Sequence, residues 1–170
     1  AAIAERCWAA GATCLVNDRF HTLLAVEADG VHVGATDLPV AVARRLLGPG
    51  AIVGGTARDP DTARRLVEEG ATYLGVGPTF ATTSKTGLPD PIGLDGLRAV
   101  VDAVDVPVIA ISGITAERVD AVIGTGAHGI AVIAAVAEAP DPHVATHDLM
   151  LAVAKAVEGA RGGGSGGSGR

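Results

Sequence analysis

The sequence predicts an α/β fold in which short parallel strands alternate with helices. Three observations carry that expectation. Short β-branched runs recur along the chain, most of them entered through a glycine-containing turn. Those runs are apolar on both faces, as in parallel strands covered by helices. The stretches between them carry apolar residues at spacings of three and four, the signature of amphipathic helices. Alternation of this kind implies right-handed crossovers and places the chain in the α/β class.

The elements follow in order. A helix over Ala1–Ala10 leads through Gly11-Ala12 into the strand Thr13-Cys14-Leu15-Val16. Asp29-Gly30 opens Val31-His32-Val33, and Leu38–Leu47 reads as the next helix. Gly50 precedes a strand near Ala51–Val53, and the helix Asp61–Glu69 begins behind Pro60, with proline and an acid at its start. Gly70-Ala71 then turns into Thr72-Tyr73-Leu74-Gly75-Val76. The helix Leu94–Val104 and Pro107 lead to the strand Val108–Ile111. The helix Thr115–Ile123, with Thr115 as N-cap, is followed by Gly126-Ala127 and the strand His128–Ile133. A last helix covers Val144–Val157.

Polar residues sit just past the strand ends: Asn17-Asp18, Asp37, Thr56, Thr82–Lys85 and Ser112. Convergence of strand ends on one site favours a TIM (β/α)8 barrel over an open sheet, which binds mainly at its switch point. The last two strands run into Ser112-Gly113-Ile114-Thr115 and Ile133-Ala134-Ala135, the loops with which barrels frequently bind phosphate. The alternative for Gly113 is a tight turn without a ligand. Six strands cannot close an eight-stranded barrel, so the expected architecture is an incomplete barrel.

Composition bounds the partners. The chain has 170 residues, 48% hydrophobic and 2% aromatic, so Ala, Val, Leu and Ile must fill the core. Residues 161–170, reading GGGSGGSGR from Gly162, have flexible-linker composition, leaving 1–160 as one domain. A net charge of −6 argues against nucleic acid or an anionic membrane, both of which want a basic face. No apolar run has the length of a membrane span and no signal peptide is visible, so the cytoplasm is the expected location. Cys7 and Cys14 make neither a disulfide framework nor a zinc site.

The segment Gly75-Val76-Gly77-Pro78-Thr79-Phe80-Ala81-Thr82-Thr83-Ser84-Lys85-Thr86-Gly87 starts as a strand and becomes a loop rich in hydroxyls and glycine, with one lysine. Inward-turned N–H groups, hydroxyl donors and a mobile cation are the parts that hold a phosphate or pyrophosphate. A solvated surface loop has the same composition, and residues alone leave both readings open.

The ordered set Val16-Asn17-Asp18, Gly30-Val31-His32-Val33-Gly34 with Asp37, Gly75-Val76-Gly77-Pro78 with Thr82 to Lys85, and Ile111-Ser112-Gly113-Ile114 resembles thiamine phosphate synthase, from the N-terminus to about Val157. That family is a TIM barrel joining a pyrimidine pyrophosphate to a thiazole phosphate, with release of pyrophosphate. The likeness begins at the helix before the family's third strand. The resemblance implies Asp18 and Asp37 as magnesium ligands, where carboxylate oxygens suit Mg2+, and Asn17 as a contact of the pyrimidine. Read without it, both acids are helix caps. It implies Thr82 and Ser84 as ligands of the thiazole phosphate and Lys85 as partner of the pyrophosphate. Gly113 and the Ile133-Ala134 turn would give backbone N–H groups to the thiazole phosphate, and Thr56 takes the place of a substrate-binding serine. His32, inside a strand, reads as a packed or hydrogen-bonded core histidine.

Departures from the family pattern are also visible. The arginine and lysine of the family's second strand have no counterpart, Gln-x-Asp appears as Ala35-Thr36-Asp37, and Gly-Gly appears as Ser112-Gly113. A homo-oligomer or a complementing N-terminal segment is the expected remedy for the missing strands. Two other readings stand beside the synthase. One is a thiazole tautomerase, which carries a histidine where this chain has Thr56-Ala57-Arg58. The other is a non-catalytic binder of phosphate ligands that needs a partner.

Overall fold

The computed structural model describes residues 2–26, 28–82 and 87–162. Among the described residues six strands follow chain order in one sheet, and the first pairs with the second, the second with the third and the fifth with the sixth in parallel. The chain divides into two compact units, residues 1–75 with 103–107 and residues 76–102 with 108–170.

The first unit contains α1 (Ala2–Ala9), β1 (Leu15–Asn17), α2 (Phe20–Val26), β2 (Gly30–Val33), α3 (Val40–Leu47), β3 (Ile52–Ala57), α4 (Pro60–Glu68) and most of β4 (Tyr73–Val76). Register pairs Val16 with Val31 and His32 with Gly54. β1 starts later than the sequence suggests because the Cys14 N–H is taken by the Asp29 carboxylate at 2.7 Å, while Asp29 N–H returns to the Cys14 carbonyl. β3 runs on through Gly54 and Gly55. Side chains of His32 and Tyr73 occupy the space above Gly54, and those of Val40 and Leu66 the space above Gly55. α3 begins only at Val40, since Pro39 fixes an extended backbone (ψ 142°) ahead of it.

α4 shows how local chemistry sets an element. Asp59 is its N-cap in an extended conformation, accepting from the Thr62 N–H at 2.8 Å and the Thr62 hydroxyl at 2.9 Å, with Pro60 at the first helical position. Ala63 and Leu66 form its buried stripe. Its end is tied by Arg44 of α3, whose guanidinium bonds the carbonyls of Gly70 (3.0 and 2.9 Å), Gly48 (2.8 Å) and Ala51 (2.8 Å). Gly70 has φ +101°, and a Cβ there would lie 2.9 Å from Arg44 Cγ, so both backbone and space demand glycine.

The second unit contains α5 (Gly93–Val101), β5 (Val108–Ile111), a 3-10 turn (Ala116–Arg118), α6 (Val119–Ile123), β6 (Gly129–Ala131), α7 (Ala134–Ala137) and α8 (Pro142–Gly162). Leu97 and Val100 of α5 and Val119 and Val122 of α6 are fully buried, each stabilising the fold by about 1.5–3 kcal/mol. Apart from Thr79, the largest fully buried side chains are leucines and valines, as the low aromatic content requires. Thr115 precedes the 3-10 turn with extended backbone but makes no side-chain cap; its hydroxyl meets the Glu117 carboxylate and lowers that group's pKa. The expected strand His128–Ile133 contracts to Gly129–Ala131 because Ile133 turns the chain into α7. α8 reaches Gly162, so Arg161 and Gly162 of the expected tail continue the helix.

Candidate functional site

In the first unit, β1 ends on Asn17, whose side chain is exposed. Asp18 follows with φ +62°, a left-handed conformation rare outside glycine, its N–H bonded to the His32 carbonyl at 2.9 Å. Asp37 lies in the turn after β2 and reaches back to accept the Gly34 N–H at 2.9 Å. Asp37 Oδ2 and Asp18 Oδ1 lie 2.9 and 3.7 Å from the point where a Cβ on Gly34 would sit. The missing side chain at Gly34 is therefore the space onto which both carboxylates converge. Asp37 does not cap α3, whose N-cap is Pro39 with no side-chain bond. Among the described residues no cluster of three or more His, Cys, Asp or Glu side chains gathers. Two carboxylates facing one gap are nevertheless the hard-oxygen set that suits Mg2+, which takes one or two protein carboxylates and completes its shell with water and phosphate.

Behind the acids stands a linked row of polar side chains. His32 Nδ1 is 2.9 Å from the Tyr73 hydroxyl and Nε2 is 2.9 Å from Thr56 Oγ1. Gly54, opposite His32 in register, leaves room for both rings. Burial lowers the His32 pKa, outweighing the opposite pull of the Asp37 carboxylate, so the imidazole is neutral at neutral pH. Burial also pushes the Tyr73 phenol up to about 12, which keeps its proton. The neutral ring is held at both nitrogens, one of which donates and the other accepts, and its plane is fixed between Tyr73 and Thr56. Thr56 is thus not past a strand end, as expected, but inside β3, held there by a histidine. The reading of His32 as a hydrogen-bonded core histidine agrees with this geometry. Its tie to Thr56 and Tyr73 had no local sequence signal, since the three residues come from three strands.

In the second unit, the first half of the 75–87 segment is built onto β5. Gly77-Pro78 is a cis peptide. Thr79 is fully buried, its N–H bonded to the Ile111 carbonyl at 2.9 Å and its hydroxyl to the Val76 carbonyl at 3.3 Å. The Phe80 N–H bonds the Ser112 carbonyl at 3.2 Å. Ser112 and Gly113 both have positive φ (72° and 67°), and a Cβ on Gly113 would lie 2.5 Å from the Ala81 carbonyl oxygen and 2.8 Å from Phe80 Cβ. Glycine at 113 is required twice over, by backbone and by close approach. Thr82 follows directly, half-buried; Ser84 and Lys85 lie outside the described residues. Ile133, exposed, is the residue before α7, and Ala134 is its first; the opening turn of that helix carries the backbone N–H groups with no partner inside the helix.

A parallel α/β chain with polar residues at its strand ends, facing carboxylates in one unit and a glycine turn packed on a hydroxyl-bearing loop in the other, is of the class to which (β/α) barrels belong. A model of the thiamine monophosphate synthase family matches residues 1–136. The chain is 62% identical to the thiamine-phosphate synthase of Salinispora arenicola over 136 residues, 80% of this chain and 65% of that protein. To the enzyme of Moorella thermoacetica it is 50% identical over 155 residues, 91% of this chain and 74% of that protein. Thiamine phosphate pyrophosphorylase from Pyrococcus furiosus superposes with a TM-score of 0.82 at 38% identity, over 89% of this chain and 72% of that one. The chain belongs to the thiamine monophosphate synthase family and has its α/β-barrel fold, with six of the βα units. It spans about two thirds of the length of the relatives it matches. No helix among the described residues is long and apolar enough to cross a membrane.

Proposed function

We propose that this chain supplies most of the machinery of a thiamine-phosphate synthase, the transferase that couples hydroxymethylpyrimidine pyrophosphate to thiazole phosphate in thiamine biosynthesis. The observation that carries the reading is the convergence of Asp18 and Asp37 on the gap at Gly34, in a chain 62% identical to a thiamine-phosphate synthase. The gap between the two acids suits a magnesium ion, which would neutralise the pyrophosphate when bound. Asp18 and Asp37 would hold it, Asn17 would contact the pyrimidine, and Thr56 would present the hydroxyl that His32 orients.

In the second unit, Thr82, Ser84, the Gly113 N–H and the Ile133-Ala134 turn would receive the thiazole phosphate. Lys85 would meet the negative charge that develops as pyrophosphate departs. The thiazole nitrogen then attacks the pyrimidine methylene carbon that pyrophosphate has left, so the chain positions two substrates and stabilises charge, with no side-chain nucleophile. The barrel portion runs through the end of α8 at Gly162, the glycine-serine composition beyond it is that of a linker, and the cytoplasm is the expected setting for this soluble-substrate chemistry.

The test joins the N-terminal segment of the Salinispora arenicola protein ahead of Ala1 and supplies both substrates with Mg2+. Chromatography should find thiamine phosphate, with pyrophosphate released in equal amount by phosphorus NMR. A folded chimera that binds both substrates yet forms no product would refute the synthase reading and favour a binding role.

A further inference from the structure

Arg118 is joined at once to both chain segments that the second unit brings together at Gly113. Its guanidinium lies over the Phe80 ring, 4.4 Å from the centroid, and its Nη1 donates to the Gly113 carbonyl. Phe80 belongs to the loop that leads into Thr82; Gly113 belongs to the turn after β5. Those two segments are otherwise held by the Phe80 N–H to Ser112 carbonyl bond and by direct packing of Gly113 on Phe80 and Ala81. The side chain comes from the 3-10 turn Ala116–Arg118, five residues after Gly113, so it closes over its own loop and across to the neighbouring one. An arginine suits this place because its flat cation stacks on the ring while its fork donates sideways.

We propose that Arg118 is a positioning residue, a latch that keeps the Phe80–Thr82 stretch against the Ser112-Gly113 turn and thereby sets affinity for the phosphate of the thiazole substrate. This rests on the functional reading above. Arg118 does not itself touch the reacting atoms; it fixes the Gly113 N–H relative to the Thr82 backbone. Loss of a stacked cation and one charged hydrogen bond at an exposed site should loosen the contact about tenfold.

Hydrogen exchange and steady-state kinetics test the latch in the full protein, with Arg118→Ala, Arg118→Lys and Phe80→Leu. In Arg118→Ala the Phe80 amide should exchange about tenfold faster, while the Thr72 amide, bonded to the Val53 carbonyl, keeps its protection. KM for thiazole phosphate should rise about tenfold, with kcat and the KM for the pyrimidine pyrophosphate changed by less than about twofold. Arg118→Lys should recover part of the loss, and Phe80→Leu should copy Arg118→Ala. Unchanged protection of Phe80 overturns the latch outright. Lost protection with an unchanged thiazole phosphate KM, or equal rises in both KM values, overturns its role in phosphate affinity. A folded chimera with the N-terminal segment that binds both substrates yet makes no thiamine phosphate would defeat the functional reading, while the exchange measurement still judges the latch.

Discussion

Exchange of Asp37 for asparagine isolates charge from shape at the acid pair. The amide oxygen can still accept the Gly34 N–H that the carboxylate takes at 2.9 Å, so the turn after β2 keeps its bond and loses only the charge assistance, about 1 kcal/mol of stability. The effect on a divalent ion is larger. A unit charge about 4 Å from a divalent ion is worth about 2 kcal/mol in water-like dielectric and about 8 kcal/mol at an effective dielectric of 20. Even the lower figure weakens the ion about thirtyfold, and Asp18→Asn should do the same from the other side of the gap. Gly34→Ala probes the space instead: its Cβ would lie 2.9 Å from Asp37 Oδ2, close enough to force that carboxylate aside with both charges intact. Titration calorimetry with Mg2+, together with the Mg2+ dependence of turnover, measures all three. Circular dichroism melting separates a lost fold from a lost ion. If Asp37→Asn and Asp18→Asn both melt normally and keep wild-type Mg2+ dependence, the two acids do not hold the ion and the assignment fails.

Further outcomes are expected elsewhere in the chain. Lys85→Ala should lower kcat on the order of a hundredfold in stopped-assay turnover without moving the melting temperature, because the proposed charge partner of the departing pyrophosphate would be lost; normal turnover would remove Lys85 from the site. Arg44→Ala strips four hydrogen bonds from the carbonyls of Gly48, Ala51 and Gly70 and should cost about 3 kcal/mol in urea unfolding, with Arg44→Lys recovering less than half. Asp59→Ala should cost about 1 kcal/mol at neutral pH. The Thr62 N–H, then its hydroxyl, holds the Asp59 carboxyl below its ordinary pKa, so its stabilisation is present above the usual carboxylate range and fades as pH falls through the folded value. Unfolding curves of wild type and Asp59→Ala should therefore converge in acid, and a difference that persists there would contradict the cap.

What was legible in the sequence is what one element can encode alone. Val108–Ile111 is legible from Pro107 ahead of it and Ser112-Gly113 after it, because its side chains need only be apolar. Elements that depend on a distant partner leave a weaker trace in the sequence. The sequence places this strand near Ala51–Val53, yet β3 runs on through two glycines that make room for His32 with Tyr73 and for Val40 with Leu66. The sequence hints at α2 only through Asp18 as a possible cap, and the four-residue α7 is too short to show a helical period. The same distinction governs the site. Asp37 read by itself is a helix cap, and only the fold shows its carboxylate turned back onto the Gly34 N–H, toward the gap that Asp18 also faces. Thr56 carries no sign that a histidine one strand away holds its hydroxyl, nor Arg118 that it covers Phe80. A linear sequence states the chemistry of each group but not which groups share a gap. Residues such as Gly34, Gly54 and Gly113, which contribute space, are therefore where reading from sequence stops and the fold is needed.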